Sequence, residues 1–227
     1  MKTKFQYPIA LTICIIVLLS LLPAQSQVKG RGYFDGDIGG SIMPDADFEE
    51  YFGNPIASGS EVEFDPGFRM GLRAGYGVTD WFAAELETGL MVNSIDSISG
   101  ATESDAFMSN IPCLVNARFQ LSQFDRLTPY FGVGVGFSVT TLDADNIAFG
   151  GGWLEGTMST VEFAYQGFAG LRYNFNDNMG VSLEYRYFAT TEPEWEADVI
   201  YGPAGSDSIG FGRIQSHVFS IAFQFRF

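Results

Sequence analysis

The sequence predicts an all-β protein, an eight-stranded antiparallel transmembrane β-barrel with short periplasmic turns and four long extracellular loops. Three observations predict it. Stretches of about ten residues that alternate apolar with polar or small side chains recur eight times, the period of a strand and not of a helix. The connections between them alternate between short and long. The chain also stops on SHVFSIAFQFRF, where Phe219, Ile221, Phe223, Phe225 and Phe227 share one parity. Soluble chains usually leave their last residues polar and frayed. Five large apolar side chains on one face of a terminal strand call for a surface that faces hydrocarbon.

The opening of the chain is of a different kind. Residues 1–26 read as a secretory signal peptide: Lys2 and Lys4, an apolar run from about Ile9 to Leu22, then Pro23 and the small-x-small stretch Ala24-Gln25-Ser26. The run is too short for a membrane anchor. Residues 27–227 then form one barrel domain. Its first segment is Tyr33–Ile42, with Phe34, Ile38 and Ile42 on one face. The second, Gly67–Val78, sets Phe68, Met70, Leu72 and Tyr76 against Arg69 and Arg73. The third, Trp81–Val92, sets Phe82, Leu86 and Leu90 against Glu85 and Glu87. The fourth, Phe107–Leu121, sets Ile111, Cys113, Val115 and Phe119 against Asn116, Arg118 and Gln120. The fifth is Pro129–Thr140, with Phe131, Val133, Val135 and Phe137 against glycines. The sixth, Val161–Phe175, carries Leu171, Tyr173 and Phe175 against Gln166 and Arg172. The seventh, Met179–Ala189, carries Val181, Leu183 and Tyr185 against Ser182, Glu184 and Arg186. The terminal stretch is the eighth.

The turns Val78–Trp81, Ser122–Thr128 and Asn176–Asn178 are short. Met43–Asp65, Asn93–Asp105, Thr141–Thr160 and Thr190–Gly212 are long and read as outside loops. Trp81, Phe82, Phe119, Tyr130, Phe131, Tyr173, Phe175, Tyr185 and Tyr187 collect near segment ends, where aromatic girdles meet the membrane interfaces. Pro112 lacks a ladder donor within a paired strand, so a bulge or a rim position is expected there.

Charge placement separates this reading from a soluble barrel of lipocalin type, whose apolar face would point inward. Arg69, Arg73, Arg118, Arg172, Arg186 and Arg226 all lie on the polar faces of strands. Glu85, Glu87, Glu162 and Glu184 join them, as do Asp35 and Asp37. After residue 26 the only lysine is Lys29, whereas a soluble outer face would carry lysine freely. Arginine matched to carboxylate suits a narrow interior where charges pair. These residues are read as a structural ion network, with acid/base chemistry the weaker alternative. The net charge is −15, and cleavage would remove two more positive charges, which excludes a nucleic-acid partner. No stretch after residue 26 is long and apolar enough for a membrane helix, and a closed barrel is the other way to satisfy the backbone in lipid.

The stretches GYGVTDWFAAELETG, NIPCLVNARFQL, LTPYFGVGVGFS, FAYQGFAGLRYNFNDNMGVSLEYRYF and SHVFSIAFQFRF resemble the OmpA-like small outer-membrane β-barrel family, which includes opacity-type surface proteins. The resemblance covers nearly all of the chain after the leader and is strongest in the last four segments. It implies an outer-membrane location, a periplasmic N-terminus, surface-exposed loops and a monomer embedded among bilayer lipids and lipopolysaccharide. It also implies that Phe223, Phe225 and Phe227 form the signal read by the barrel-assembly machinery.

No enzyme is expected. His217 has the parity of Phe219, while Ser216 and Ser220 point the other way, and neighbours on opposite faces cannot share a proton. Gly132-Val133-Gly134-Val135-Gly136 sits inside a strand with no helix after it, so it is not a phosphate loop. No cofactor or resident metal is implied. The four long connections hold 18 acidic residues and no Lys or Arg. They are candidates to gather divalent cations such as calcium, although Asp143-Ala144-Asp145-Asn146 does not continue into an EF-hand, and a solvated anionic surface is the stronger reading. The function expected is therefore a structural or surface-interaction role, adhesion or envelope support. A narrow porin is the alternative, and a membrane enzyme acting on lipid or peptide a minor one.

Overall fold

The computed structural model describes residues 30–227, except 52–53, 122–125, 150–151, 197–199 and 202–207. The expected signal peptide, residues 1–26, lies outside the described residues. In chain order the strands are β1 (Gly32–Ile42), β2 (Ala46–Tyr51), β3 (Asn54–Pro55), β4 (Glu61–Phe64), β5 (Gly67–Gly77), β6 (Phe82–Ile98) and β7 (Glu103–Gln120). They continue with β8 (Leu127–Phe149), β9 (Gly152–Asn174), β10 (Met179–Thr190), β11 (Glu194–Glu196), β12 (Ile200–Tyr201), β13 (Ser208–Phe211) and β14 (Gln215–Arg226).

Eight of them close a barrel in the order β1, β5, β6, β7, β8, β9, β10, β14, every neighbour antiparallel and β14 pairing back onto β1 from Tyr33↔Arg226 to Ile42↔His217. Closure leaves no unpaired edge, the condition for crossing hydrocarbon with strands. The alternation does the rest. On β14, Phe219, Ile221, Phe223 and Phe225 are exposed on the outer wall, while Ser216, Val218, Ser220, Ala222 and Gln224 are buried inside. The same holds on β10, where Leu183 is 66% exposed between the buried Ser182 and Glu184. A ring of exposed large apolar side chains is unfavourable in water and favoured in lipid.

One end of the barrel carries tight turns. Thr79 Oγ1 accepts from the Phe82 amide at 3.0 Å, and Asn176 Oδ1 accepts from the amides of Asn178 and Met179 at 2.9 Å each. Both are side chains standing in for a backbone acceptor in a turn.

The other end differs from expectation. Two of the four expected loops are mostly strand. β6 runs to Ile98 and β7 starts at Glu103, leaving a short turn in which Gly100 has φ +85°. β8 and β9 run 23 residues each, about twice what a tilted membrane strand needs. The remaining two connections contain β2–β4 and β11–β13, which fold over the barrel end as a β-cap. The physical reason is an inversion of polarity along the same strands. Beyond the membrane the outer face meets water, so Ser94, Asp96 and Asp143 point out while Ile95, Met108 and Leu142 point in. The inward apolar residues join Phe48, Val62, Trp195, Ile209 and Phe211 in a core that fills the cap. Trp195 anchors it, its ring 5.1 Å from that of Phe211 and its Nε1 donating to the Thr140 carbonyl at 3.0 Å.

Pro112 lies at neither a bulge nor a rim. The β6–β7 pairing stops after Thr88↔Cys113 and resumes at Met91↔Asn110 in unchanged register, skipping Gly89, Leu90, Ile111 and Pro112. Pro112 keeps its register with Ser138 on the other side. A residue without an N–H is accommodated by a local gap in one ladder.

Candidate functional site: a filled lumen beneath an acidic cap

Inward parity on five strands brings nine charged side chains into one cluster: Asp35 and Asp37 from β1, Arg69 and Arg73 from β5, Glu85 and Glu87 from β6, Arg118 from β7, and Glu184 and Arg186 from β10. All are buried. Glu87 is the hub. It accepts from Arg69 Nη2 at 2.6 Å, from Arg186 Nη1, from Asn116 Nδ2 at 2.7 Å and from Gln166 Nε2 at 2.8 Å. Arg69 also donates to Asp37 at 3.0 Å. Arg73 reaches across the lumen to Glu184 at 2.7 Å, and Glu184 takes Arg186 at 2.6 Å. Arg118 bridges Asp35 at 3.0 Å and Glu85 at 2.9 Å.

Aromatic side chains complete this layer. Tyr33 donates to Glu85 at 2.6 Å and Tyr130 to Glu184 at 2.9 Å. The Arg118 guanidinium lies 4.0 Å from the Tyr130 ring centroid, and Arg73 and Arg186 flank Phe168 at 5.5 and 5.4 Å. Tyr130 thus belongs inside and not in the girdle where sequence reasoning placed it. Its parity with Gly132 and Gly134 was the available signal, since Phe131 beside it takes the lipid side.

Three of the expected network residues lie apart from these ion pairs. Glu162 stands nearer the cap, accepting from Thr160 at 3.0 Å and Thr191 at 2.5 Å. Arg226 donates to Gln224 at 2.7 Å and Asn174 at 2.6 Å, and Arg172 donates to Gln120 at 3.0 Å and Asn174 at 3.2 Å. The two arginines form an amide-bonded mouth at the short-turn end. Inward parity alone could not separate them from the network, because what decides it is their height along the barrel.

Above the ion cluster the lumen stays filled. Met91, Leu114, Ala164, Phe188 and Val218 make an apolar layer. Over it Ser41 bonds Asn93 at 3.0 Å and Ser216 at 2.7 Å, and Thr140 bonds Asn110 at 2.9 Å. The cap core follows. Along the lumen, then, the buried ion cluster is followed by two apolar layers in series.

On the cap, Glu49 is exposed on β2 with Asp47 and Glu192 nearby. Partial burial and the repulsion from Glu192 and Asp47 hold its carboxyl above the usual carboxylate range. A raised folded value means that the repulsion is present at neutral pH and relieved as pH falls through that value. Replacing Glu192 with Gln is expected to bring the Glu49 pKa down toward the ordinary range, read by NMR titration of the folded protein. An unchanged pKa would show that the carboxylates do not sense each other. Among the described residues no group of three or more Asp, Glu, His or Cys side chains is arranged to hold a metal ion.

His217 shares a 2.8 Å hydrogen bond with the Tyr185 hydroxyl on the outer wall, with Tyr187 beside it. Ser216 and Ser220 lie behind the strand on the buried inner face. Phe223, Phe225 and Phe227 are exposed on the outer wall at 46%, 47% and 46%.

An eight-stranded barrel with an apolar outer belt and a charged, packed interior is an outer-membrane barrel. The chain belongs to the outer membrane protein beta-barrel domain family, whose model matches residues 12–227. It is an integral outer-membrane barrel protein. Solved structures share the fold at low sequence identity. OprG from Pseudomonas aeruginosa superposes with a TM-score of 0.65 at 18% identity, covering 87% of this chain and 96% of that one. Neisserial surface protein A gives 0.50 at 15%, with 86% and 97% covered. The outer membrane protease OmpT from Escherichia coli gives 0.50 at 7%, with 91% and 99% covered. The scaffold therefore spans proteins of different activities and does not fix one. No functionally curated protein matches the sequence.

Proposed function

We propose that the protein is a sealed outer-membrane barrel with a structural or surface-interaction role, presenting its acidic β-cap at the cell surface. The observation that carries this reading is the lumen, filled from the Arg172 and Arg226 mouth through the ion cluster and apolar layer into the cap core. The test is planar-bilayer conductance of the refolded barrel. A silent membrane is expected, and a large, steady conductance would replace this reading with that of a narrow porin. A non-enzymatic role belongs to the same reading, because His217 is engaged with Tyr185 on the lipid side, away from both neighbouring serines.

The surroundings follow from the outer wall. Bilayer lipid and lipopolysaccharide would contact the aromatic and aliphatic belt, and divalent cations would gather at the cap only as counter-ions. The barrel-assembly machinery would read Phe223, Phe225 and Phe227, exposed at the open end of the last strand. Deleting Phe227 is expected to leave the protein in the periplasm, as seen by membrane fractionation. Wild-type amounts of folded barrel in the outer membrane would remove the terminal aromatic from that role.

A further inference from the structure

Two cations at the short-turn mouth have no carboxylate partner among the described residues. Arg172 Nε and Arg226 Nη2 both donate to Asn174 Oδ1, at 3.2 and 2.6 Å, so two guanidinium groups converge on one neutral oxygen. Their other bonds also go to amides, Arg172 Nη2 to Gln120 at 3.0 Å and Arg226 Nε to Gln224 at 2.7 Å. The ion cluster above offers them no anion. Each of its five carboxylates is bonded to one or more of Arg69, Arg73, Arg118 and Arg186. Arg226 meets Asp35 only by way of the Gln224 amide, whose Nε2 donates to that carboxylate at 3.2 Å.

The buried state of Arg172 supplies the second observation. The residue is only 3% exposed, yet its Nη1 has no hydrogen bond among the described residues and is not sealed from solvent, so it faces the opening. Gly180 makes room for it. That glycine is in register with Asn174 on β9 and Gln224 on β14, and a Cβ there would meet Cγ and Cδ of the Arg172 stem at 3.3 Å. Like charges held together repel, and burial raises the cost of leaving them uncompensated. The amide oxygens at the mouth already accept from the two arginines, so what is left to a ligand is N–H donors and positive charge. Such a site suits a small oxyanion, and one with two negative charges balances both guanidinium groups. Both side chains lie on the inner parity, while Tyr173 and Phe175 hold the lipid side, so the anion arrives from the aqueous periplasm.

We propose that the periplasmic mouth binds a soluble phosphate dianion between Arg172 and Arg226. The site stands whether or not the barrel conducts. The experiment uses the refolded barrel in maltoside micelles, which carry no phosphate, and follows the arginine Nε–Hε groups by NMR. Inorganic phosphate added at constant ionic strength is expected to shift the Arg172 and Arg226 signals along one saturable curve. Arg226→Gln should weaken that binding several-fold, read from the Arg172 signal. Arg172→Gln, read from Arg226, should do the same, and if it fails to fold the Arg226 variant carries the test. Arg213→Gln removes an equal charge from an exposed position at the cap end and should leave the affinity unchanged. Shifts that never saturate, the same shifts with chloride, or an equal loss in Arg213→Gln would overturn the site. Phosphatidylglycerol dissolved in the micelle is expected to leave both signals in place. If it moved them at lower total phosphate, the soluble source would be overturned in favour of a lipid headgroup.

Discussion

Glu87→Ala is expected to destabilise the barrel by about 3–5 kcal/mol, the cost of removing one partner from a buried, hydrogen-bonded charge cluster. Glu87 is the point where Arg69, Arg186, Asn116 and Gln166 converge, and its loss leaves two fully buried guanidinium groups short of an acceptor. Neither can turn to water, because the apolar layer of Met91, Leu114 and Phe188 lies above them. Glu87→Gln keeps the acceptor oxygen and loses the charge, so it should fall between. Arg226→Ala is the contrasting variant. Its bonds go to amide oxygens at a half-buried mouth, and about 1 kcal/mol is the expected loss. Urea unfolding in lipid vesicles measures all three. A Glu87→Ala barrel as stable as the wild type would mean that the interior is wet enough to solvate the arginines, which would also weaken the sealed-barrel reading.

Leu183→Arg is the second large effect. Leu183 projects from the middle of β10, between Leu171 and Ile221 on the neighbouring strands, and is 66% exposed on the outer wall. A charge placed there meets hydrocarbon, at about 2–4 kcal/mol near the midplane. Asp143→Arg makes a similar chemical change on the outward face of β8, but beyond the belt where the strand stands in water. It should stay within about 0.5 kcal/mol. Equal losses at the two positions would put the membrane boundary in the wrong place. The pair therefore tests the polarity inversion as well as the assignment of faces.

Much of the barrel was legible because a strand in a bilayer obeys two simple rules at once. The period is two, and one face must be apolar. Leu183, Phe219 and Val133 show which face meets lipid without any knowledge of partners, and Arg69, Glu87 and Arg186 then fall inside by parity. The same rules misled above the membrane. Asn93–Asp105 and Thr141–Thr160 read as loops because their outward residues turn polar, although Ile95, Ile98 and Leu142 continue the strand with the apolar side reversed.

By itself, then, the sequence determined the number of membrane strands, their faces, and the charged side chains committed to the interior, though not the inward Tyr130. Each of these depends on neighbours within a few residues and on the solvent outside. Only the closed barrel decided which of those side chains meet. Arg73 is in register with Glu87, its cross-strand neighbour, yet its 2.7 Å bond goes to Glu184 across the lumen. Arg172 and Arg226 have the same parity as Arg73 but stand at the mouth among amides. Pairing inside a barrel is set by height along the axis and distance across the lumen, and both come from strand stagger and closure. Those quantities belong to the whole ring of strands, so no single stretch of sequence contains them.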